Sequence, residues 1–427
     1  MPIPLIKHPS LRWLSAVIAT GIIAGAGGML LALMLHAIQH IAFGYSMDAL
    51  VGNESFLQGV TSADTVRRTS VILFAGLVAG CGWWALTRYG QKRVAIKAAV
   101  ENTQKPMPLI TTIIHILLQI ATVAMGSPLG REVAPREAGA LGAGIIARRW
   151  QLSPEDTRLM IACGAGAGLA AVYNVPLAGA MFTLEVLLVS FSTELVIAAF
   201  ASSGLAAWVA TLGLGNESQY HFPPIHATPG MMGWAVLAGP ILGFAARQFR
   251  TITSTARRNV KYTRQMPIIC LLAFGLLAVL SIWFPQLPGN GKGPMQLALN
   301  GQLTVVMACV LLMTKLMVIL AVLRGGAEGG LLTPGMMVGG LISTLLFLVW
   351  QCIVPGGDAG GFALIGGAAF LAASMQMPFT AFLLAMEFTH MDHSYFVPAF
   401  VCICGSWLTC RALEKSASTT ALPVQRK

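Results

Sequence analysis

Residues 126–137 read GSPLGREVAPRE and place four charged side chains inside an otherwise apolar part of the chain. The glycines allow a tight turn, and the run beyond Pro135 resumes as a helix of small residues. A helix N-terminus presents unpaired amides and a partial positive charge of about half a unit, which together bind anions. An ionised Glu132 would occupy this anion site and a protonated one would leave it. We therefore predict that Glu132 is both gate and proton carrier, because ionisable groups in apolar segments are costly.

A simpler interpretation of Glu132 stays open at this point. A carboxylate at a helix N-terminus stabilises the helix dipole, and Glu132 could also pair with Arg131 or Arg136 at an interfacial turn. A matching turn in the second half, which ends at Pro334, favours the transport role. Two helix starts related by a repeat converge on one site in many transporters.

Landmarks downstream of this stretch also recur. Residues 164–176 and 366–378 each begin with a run of glycine and alanine and end in proline twelve residues later. A glutamate follows nine residues after each proline, at Glu185 and Glu387. Ordered landmarks that recur in register indicate duplication. The equivalent positions of the two glutamates favour a shared structural role, such as tying a helix to a neighbouring loop.

The composition is that of a membrane protein. Of the 427 residues, 56% are hydrophobic and 10% are charged, whereas soluble domains carry about 25% charged residues. Several apolar runs are too short to cross a hydrocarbon core of about 30 Å and must be buried in protein or line a cavity. We predict an all-α polytopic membrane protein with broken and tilted helices. It is expected to be one domain, 1–427, with a first half over 12–215, a second half over 228–412 and a short cytoplasmic tail over 413–427.

The net charge is +11, and the positions of the charged residues indicate how the chain is oriented in the membrane. The densest basic run, Arg247 to Arg264, lies between two apolar segments, as a cytoplasmic loop does under the positive-inside rule. Acidic residues in other loops are candidates for the outer face, namely Asp48, Glu54, Asp64, Glu217 and Asp358. A nucleic-acid partner is therefore not expected. We also expect Lys315 to pair with Glu328.

Neither a metal site nor a cofactor is predicted. The eight cysteines lie almost entirely in apolar runs without Cys-x-x-Cys spacing, and the histidines show no metal-ligand spacing. Such cysteines are typical of core packing. An intramembrane hydrolase would need a nucleophile with a base, such as Ser with His, and no such pair stands out, so we do not predict an enzyme.

Together these motifs resemble the CLC family of anion channels and proton-coupled anion antiporters, over about residues 12–410. The sequence from Gly130 to Pro135 is similar to the family's G-[KR]-E-G-P gate motif, with Val-Ala in place of glycine and the proline one residue later. The resemblance implies that Glu132 is the gating glutamate. It also implies that the amides of Arg131, Glu132 and Val133 form an outer anion site, with Pro135 in a structural role.

A second anion motif is present in the other half. Residues 330–334 read GLLTP and are similar to the family's G-x-F-x-P motif. The resemblance implies that the amides of Leu331 and Leu332 serve a central anion site, which the Thr333 hydroxyl could complete, and that Pro334 is structural. It further implies inverted halves and a homodimer in the lipid bilayer, with a pore in each subunit.

Three family features are missing. The first anion motif, G-S-G-I-P, would fall at 90–94, which reads GQKRV, so Gly90 remains and Gln91 replaces the anion-binding serine. The C-terminal tyrosine that contacts the central anion has no counterpart after Tyr395. The inner proton-transfer glutamate of many antiporters would fall at Val186. The lost serine and tyrosine, with the altered gate motifs, are similar to the bacterial fluoride/proton antiporter branch.

These features predict halide transport, of chloride or fluoride, coupled to protons across a bacterial inner membrane. A passive voltage- or pH-gated chloride channel is the nearer alternative, and the valine at 186 supports it. A cation-coupled solute carrier would also use broken helices in repeats, but it should show more carboxylates in its core than Glu132.

Overall fold

Seventeen α-helices make up nearly all of the described part of this computed structural model. The structure describes four segments of the chain, residues 10–45, 55–216, 218–223 and 226–420. Three acidic residues predicted for the outer face lie outside these segments, namely Asp48, Glu54 and Glu217. No β-strand occurs in the four segments, so the predicted all-α fold is confirmed.

The helices, in chain order, are α1 (Leu11–Phe43), α2 (Phe56–Ser62), α3 (Thr65–Tyr89), α4 (Ile96–Glu101), α5 (Leu109–Ala124), α6 (Val133–Arg149), α7 (Pro154–Tyr173), α8 (Pro176–Phe182), α9 (Thr193–Leu214), α10 (Pro229–Arg258), α11 (Met266–Trp283), α12 (Lys292–Leu299), α13 (Val305–Arg324), α14 (Leu332–Trp350), α15 (Ala359–Met375), α16 (Pro378–Thr389) and α17 (Phe396–Thr420). A π-helical turn, Thr183–Leu188, continues α8 directly. A short 3-10 turn, His393–Tyr395, precedes α17.

Eight of the described helices are long and apolar enough to cross a membrane, namely α1, α3, α9, α10, α11, α13, α14 and α17. Four apolar helices are shorter, and they are α5, α8 with its π-helical turn, α15 and α16. Helix α15 is almost completely buried in protein, which its polar backbone ends require at membrane depth. The chain is therefore a multi-pass membrane protein with broken helices.

Three short helices have no counterpart in the predicted pattern. Helices α2, α4 and α12 have 7, 6 and 8 residues, too few to show a helical period. At the C-terminus, α17 continues to Thr420, so the first part of the predicted tail, 413–427, is helical. Glu414 on this extension pairs with Arg250 of α10 at 2.5 Å. Residues 421–427 lie outside the described segments.

The two repeated segments adopt the same backbone conformations. Helix α7 ends at Asn174 with φ 55°, and α15 ends at Gln376 with φ 56°. The next residue also has nearly the same conformation in both halves, with φ −129° and ψ 69° at Val175 and φ −139° and ψ 68° at Met377, and proline then starts α8 and α16. Proline suits the first turn of a helix because its missing N–H has no partner there. The duplicated sequence therefore corresponds to a duplicated helix–turn–helix structure.

Two glutamates cross-link these segments. Glu185, on the π-helical turn, accepts the backbone N–H groups of Phe379 and Thr380 at 3.1 and 2.8 Å. Glu387, on α16, accepts those of Leu177 and Ala178 at 2.9 and 2.8 Å. Each carboxylate thus binds the unpaired amides at the N-terminus of the equivalent helix in the other half. The contact is reciprocal, as expected for a pseudo-two-fold arrangement.

Glycine in α7 sets the position of α6. A Cβ atom at Gly168 would overlap the carbonyl oxygen of Pro135, and one at Gly164 would overlap that of Gly139. Only glycine permits this close backbone approach. The first turn of α6 is therefore pressed against α7, and this contact fixes where the residues before α6 lie.

Candidate functional site

Two glycines, one from each half, join the turns that precede α6 and α14. Gly130 and Gly330 exchange backbone hydrogen bonds of 2.8 Å in both directions and form an isolated antiparallel bridge. Because the two chain directions are opposite at the bridge, the starts of α6 and α14 lie next to each other. Both helices thus present N-terminal amides to one small region.

The additional residue of the first motif lies before its helix. Arg131 and Glu132 separate the bridging glycine from the start of α6, whereas Leu331 alone separates it from the start of α14. Proline is the third residue of both helices, at Pro135 and Pro334. At that position its missing N–H leaves no intrahelical bond unmade. The insertion therefore lengthens the turn that carries Glu132 and leaves the helix register unchanged.

The carboxylate of Glu132 lies at the start of the other half's helix. Its Oε1 accepts the N–H of Leu332 at 2.8 Å, and the residue is 1% exposed. Glu132 makes no capping hydrogen bond to α6. In the described segments, no ion pair within 4.0 Å joins it to Arg131 or Arg136. Glu132 therefore forms neither a hydrogen-bonded cap of its own helix nor a close ion pair, and its carboxylate binds the start of α14 instead.

The bridging glycines make room for this carboxylate. A Cβ atom at Gly330 would overlap Oε1 of Glu132, and one at Gly130 would overlap Oε2. Any other residue at either position would push the side chain away from the Leu332 amide. The glycines of both sequence motifs are thus explained by the space that the carboxylate needs.

Two hydroxyl groups complete the surroundings of Glu132. The Tyr173 hydroxyl lies 3.3 Å from Oε2 of Glu132 and 3.1 Å from Oγ1 of Thr333. Tyr173 donates to the carboxylate, which leaves its oxygen to accept from Thr333. The Arg131 guanidinium lies 5.1 Å from the centre of the Tyr173 ring, on its face. The Leu332 amide and the Tyr173 hydroxyl thus contact the Glu132 carboxyl group, and the Thr333 hydroxyl lies next to them.

Tyr173 was not among the predicted site residues. The family's C-terminal tyrosine lacks a counterpart, and here a tyrosine hydroxyl comes from the last residue of α7. The signal in the sequence was its position, directly before Asn174, at the end of a helix built of glycine and alanine. Its proximity to Thr333 depends on the packing of the two halves, which no local pattern encodes.

The remaining predicted site residues fall into two groups. Arg131 leads into α6, Val133 begins it, and Leu331 is the N-cap of α14, so all three lie at the converging helix starts. Gly90 and Gln91 are exposed, and the backbone N–H of Gln91 donates to the hydroxyl of Thr111 on α5 at 3.1 Å. Among the described residues, no hydrogen bond joins Gly90 or Gln91 to Glu132 or to the groups around it, which are Leu332, Tyr173 and Thr333.

The turn between α13 and α14 faces the basic side of the protein. Glu328 in this turn pairs with Arg93 at 2.7 Å, and Arg257 at the end of α10 donates to the Gly329 carbonyl at 2.7 Å. Burial and the negative charge of Glu328 raise the pKa of Tyr262, in the loop after α10. This is the face that the positive-inside rule predicts to be cytoplasmic.

The expected pair between Lys315 and Glu328 is wrong. Lys315 is fully buried on α13, and its ammonium donates to the carbonyl oxygens of Leu287 and Gly289, the latter at 2.5 Å. Glu328 instead lies in the turn after α13, where Arg93 reaches it. The Lys315 side chain therefore supports the loop before α12 and does not neutralise the carboxylate.

Comparison with known proteins identifies the family. The family model described as voltage gated chloride channel matches residues 73–411. The chain belongs to the CLC family. Its curated relatives are transport proteins, so the prediction that it is not an enzyme agrees with them. The resemblance drawn from the gate motifs is confirmed.

Curated relatives from enteric bacteria are similar over most of this CLC protein. The voltage-gated ClC-type chloride channel ClcB of Citrobacter koseri is 29% identical over 350 residues, which are 78% of this chain and 82% of that protein. The ClcB protein of Escherichia coli O9:H4 is 27% identical over 344 residues, with the same coverage.

Solved structures show the same fold. A slow cyanobacterial Cl⁻/H⁺ antiporter matches 98% of this chain and 100% of its own with a TM-score of 0.81 at 18% identity. A CLC-type fluoride/proton antiporter matches 93% and 95% with a TM-score of 0.74 at 19% identity. The predicted CLC-like architecture is therefore confirmed, and the chain is an anion transport protein of this family.

Proposed function

We propose that this CLC protein exchanges chloride for protons across a bacterial inner membrane, with Glu132 as gate and proton carrier. The observation that carries the proposal is the 2.8 Å hydrogen bond from the Leu332 amide to the Glu132 carboxylate. An amide at a helix start is a site for a small anion. The carboxylate and a halide ion compete for it, and protonation of Glu132 frees the site for the halide.

The hydroxyls of Tyr173 and Thr333 supply further donors for the bound anion. They stand where the family's serine and tyrosine are missing, and their oxygens lie 3.1 Å apart. With Glu132 displaced, both can point a proton at a halide beside the helix start. Backbone amides in the same region come from Leu331, Leu332 and Val133. Arg131 contributes positive charge beside them.

Fluoride is the second candidate, and the hydroxyl pair favours it. A small, strongly hydrated anion needs strong donors in place of water, and Tyr173 and Thr333 provide two. The names of the relatives support chloride, because the ClcB proteins are called chloride channels and one solved neighbour is a Cl⁻/H⁺ antiporter. The other neighbour, a fluoride/proton antiporter, supports fluoride.

The proposal is tested with purified protein in liposomes. Loaded with chloride or with fluoride in separate experiments, wild-type liposomes are expected to take up protons as the anion leaves. Glu132→Gln is expected to abolish proton uptake and keep anion efflux, because a neutral amide can neither carry the proton nor hold the anion site closed. Unchanged proton uptake in Glu132→Gln would contradict the assignment of the gate.

A passive chloride channel is the alternative function, and Val186 supports it because no carboxylate stands at that position of the π-helical turn. The reversal potential under a proton gradient separates the two. A channel reversal potential follows the anion gradient alone, whereas that of an antiporter also depends on the pH difference.

We also propose that the protein is a homodimer. Apolar side chains are exposed around the two cross-linked repeat segments, including Val189 at 74%, Phe379 at 57% and Val397 at 58%. Cross-linking in intact membranes, with cysteine introduced at one of these positions, is expected to give a dimer on denaturing gels. Monomer alone at every position would contradict this.

A further inference from the structure

Glu132 is almost completely buried, so a proton from the cytoplasm needs a path of titratable groups. A second buried carboxylate, Glu137, lies on α6, which begins directly after Glu132. Its side chain is 7% exposed. It lies five residues after Glu132, which is about 7.5 Å along the axis of a helix. The proposed transport mechanism gives Glu137 no role.

Glu137 lies in a buried polar cluster made by three helices. Gln119 of α5 donates to its Oε2 at 3.2 Å, and Nε2 of His115, also on α5, lies 3.5 Å from the same oxygen. Trp83 of α3 donates its indole N–H to Nδ1 of His115 at 2.9 Å. Because an indole N–H only donates, Nδ1 is an acceptor toward Trp83. The Arg93 guanidinium contacts both ring nitrogens of His115, and Nε2 also faces Glu137.

The same cluster continues to the cytoplasmic face. Oε2 of Glu328 lies 4.0 Å from Nε2 of His115, and the Glu328 side chain is 27% exposed. The Arg93 guanidinium contacts both His115 and Glu328. Two carboxylates, one partly exposed and one buried, thus face a single imidazole nitrogen. Proton transfer between the two carboxylates therefore requires a side-chain rotation or intervening water.

Two buried polar atoms on α5 without hydrogen-bond partners indicate a position for a bound water. The Oε1 atom of Gln119 is buried and has no hydrogen-bond partner in the described segments, and the same holds for the hydroxyl of Thr112 on α5. Both residues are 0% exposed. Buried acceptors without protein partners are positions where ordered water binds. Since the other end of the Gln119 amide binds Glu137, such a water would lie close to this carboxylate.

Fixed positive charges face the cluster from the neighbouring elements. Arg136 attracts both Glu132 and Glu137. Arg93 attracts Glu137 from the loop before α4, and Arg257 of α10 attracts Glu328 and Glu132. The attraction of these cations lowers the cost of ionising the buried carboxylates in turn.

We propose that Glu137 is the inner proton-transfer carboxylate of this protein, loaded from the cytoplasm through Glu328 and unloading to Glu132. The inference rests on the proton coupling proposed above. In each step one carboxyl O–H bond breaks and one forms on the next carboxylate, directly or through water, with no redox change. His115 is a positioning residue, because its Nε2 faces both Glu137 and Glu328 while Trp83 holds its Nδ1.

The test compares proton and anion fluxes in liposomes that contain the full chain and a chloride gradient. Glu137→Gln is expected to lose proton uptake to the level of protein-free liposomes and to keep chloride efflux. The substitution is nearly isosteric and keeps an acceptor for Gln119, so the protein is expected to fold, which elution volume checks. Glu137→Asp is expected to restore part of the proton uptake. The control is Glu155→Gln, an exposed carboxylate at the start of α7.

The outcomes are distinguishable. Full proton uptake by folded Glu137→Gln, with a coupled wild type, would overturn this inference and leave the proposed function standing. Loss of both fluxes in folded Glu137→Gln would also overturn it, since the residue would then serve anion passage. A wild type that moves chloride without protons would overturn the proposed coupling, and the inference with it.

Discussion

Gly130 and Gly330 pair through two backbone hydrogen bonds of 2.8 Å, and the Glu132 carboxylate occupies the space that a side chain on either would need. The pairing therefore does two things. It aligns the starts of α6 and α14, and it holds the Glu132 carboxylate against the Leu332 amide. The position of the proposed gate therefore depends on both halves at once.

Gly330→Ala is expected to displace the Glu132 carboxylate and weaken the gate. Overpacking of this kind costs about 1–3 kcal/mol, which shifts the population of the closed gate by about 5- to 150-fold. Anion efflux from liposomes should rise while the number of protons moved per anion falls.

The matched control for Gly330→Ala is Gly204→Ala on α9, where a Cβ atom would meet nothing within 4 Å. It should leave both fluxes unchanged. Wild-type coupling in Gly330→Ala would show that the carboxylate does not occupy the observed position during transport.

Tyr173→Phe is expected to weaken anion binding. It removes the hydroxyl that links Glu132 to Thr333, and a hydrogen bond to a charged group contributes about 1.5–3 kcal/mol. Loss of such a donor should raise the dissociation constant for the transported halide about tenfold or more. Isothermal titration with chloride and with fluoride measures the change, and the larger loss identifies the anion that uses this hydroxyl.

Tyr395→Phe serves as the comparison for Tyr173→Phe. The Tyr395 hydroxyl is buried without a hydrogen-bond partner in the described segments, so its removal should not change halide affinity. Equal affinities in all three proteins would exclude Tyr173 from the anion site.

Much of the fold was predictable because its signals are local. Apolar runs, prolines at helix starts and the spacing from Gly164 to Pro176 each act over one or two helical turns. The position of Glu132 at a helix start was predictable for the same reason. Its hydrogen-bond partner, Leu332, is 200 residues away in sequence. Only the repeat indicated that these two helix starts lie close together.

The missed parts of the site depend on packing between distant helices. Tyr173, Arg93 and His115 carry no motif, and their partners come from other elements. The pairing of Glu328 was mispredicted because proximity in sequence favoured Lys315. In the fold, Lys315 reaches the carbonyls of the loop before α12, while Arg93 reaches Glu328.

The exchanged contacts of Glu185 and Glu387 are expected to stabilise the fold without carrying protons. Glu185→Ala leaves the N–H groups of Phe379 and Thr380 without their acceptor, at about 1–3 kcal/mol for each group that stays buried and unpaired. The unfolding temperature in detergent should therefore fall. Glu387→Ala should act in the same direction, and less strongly, because Glu185 also accepts the Thr380 hydroxyl at 2.6 Å. The number of protons moved per anion by the variant protein that remains folded should equal the wild-type value. An altered ratio with unchanged stability would instead assign these carboxylates to transport.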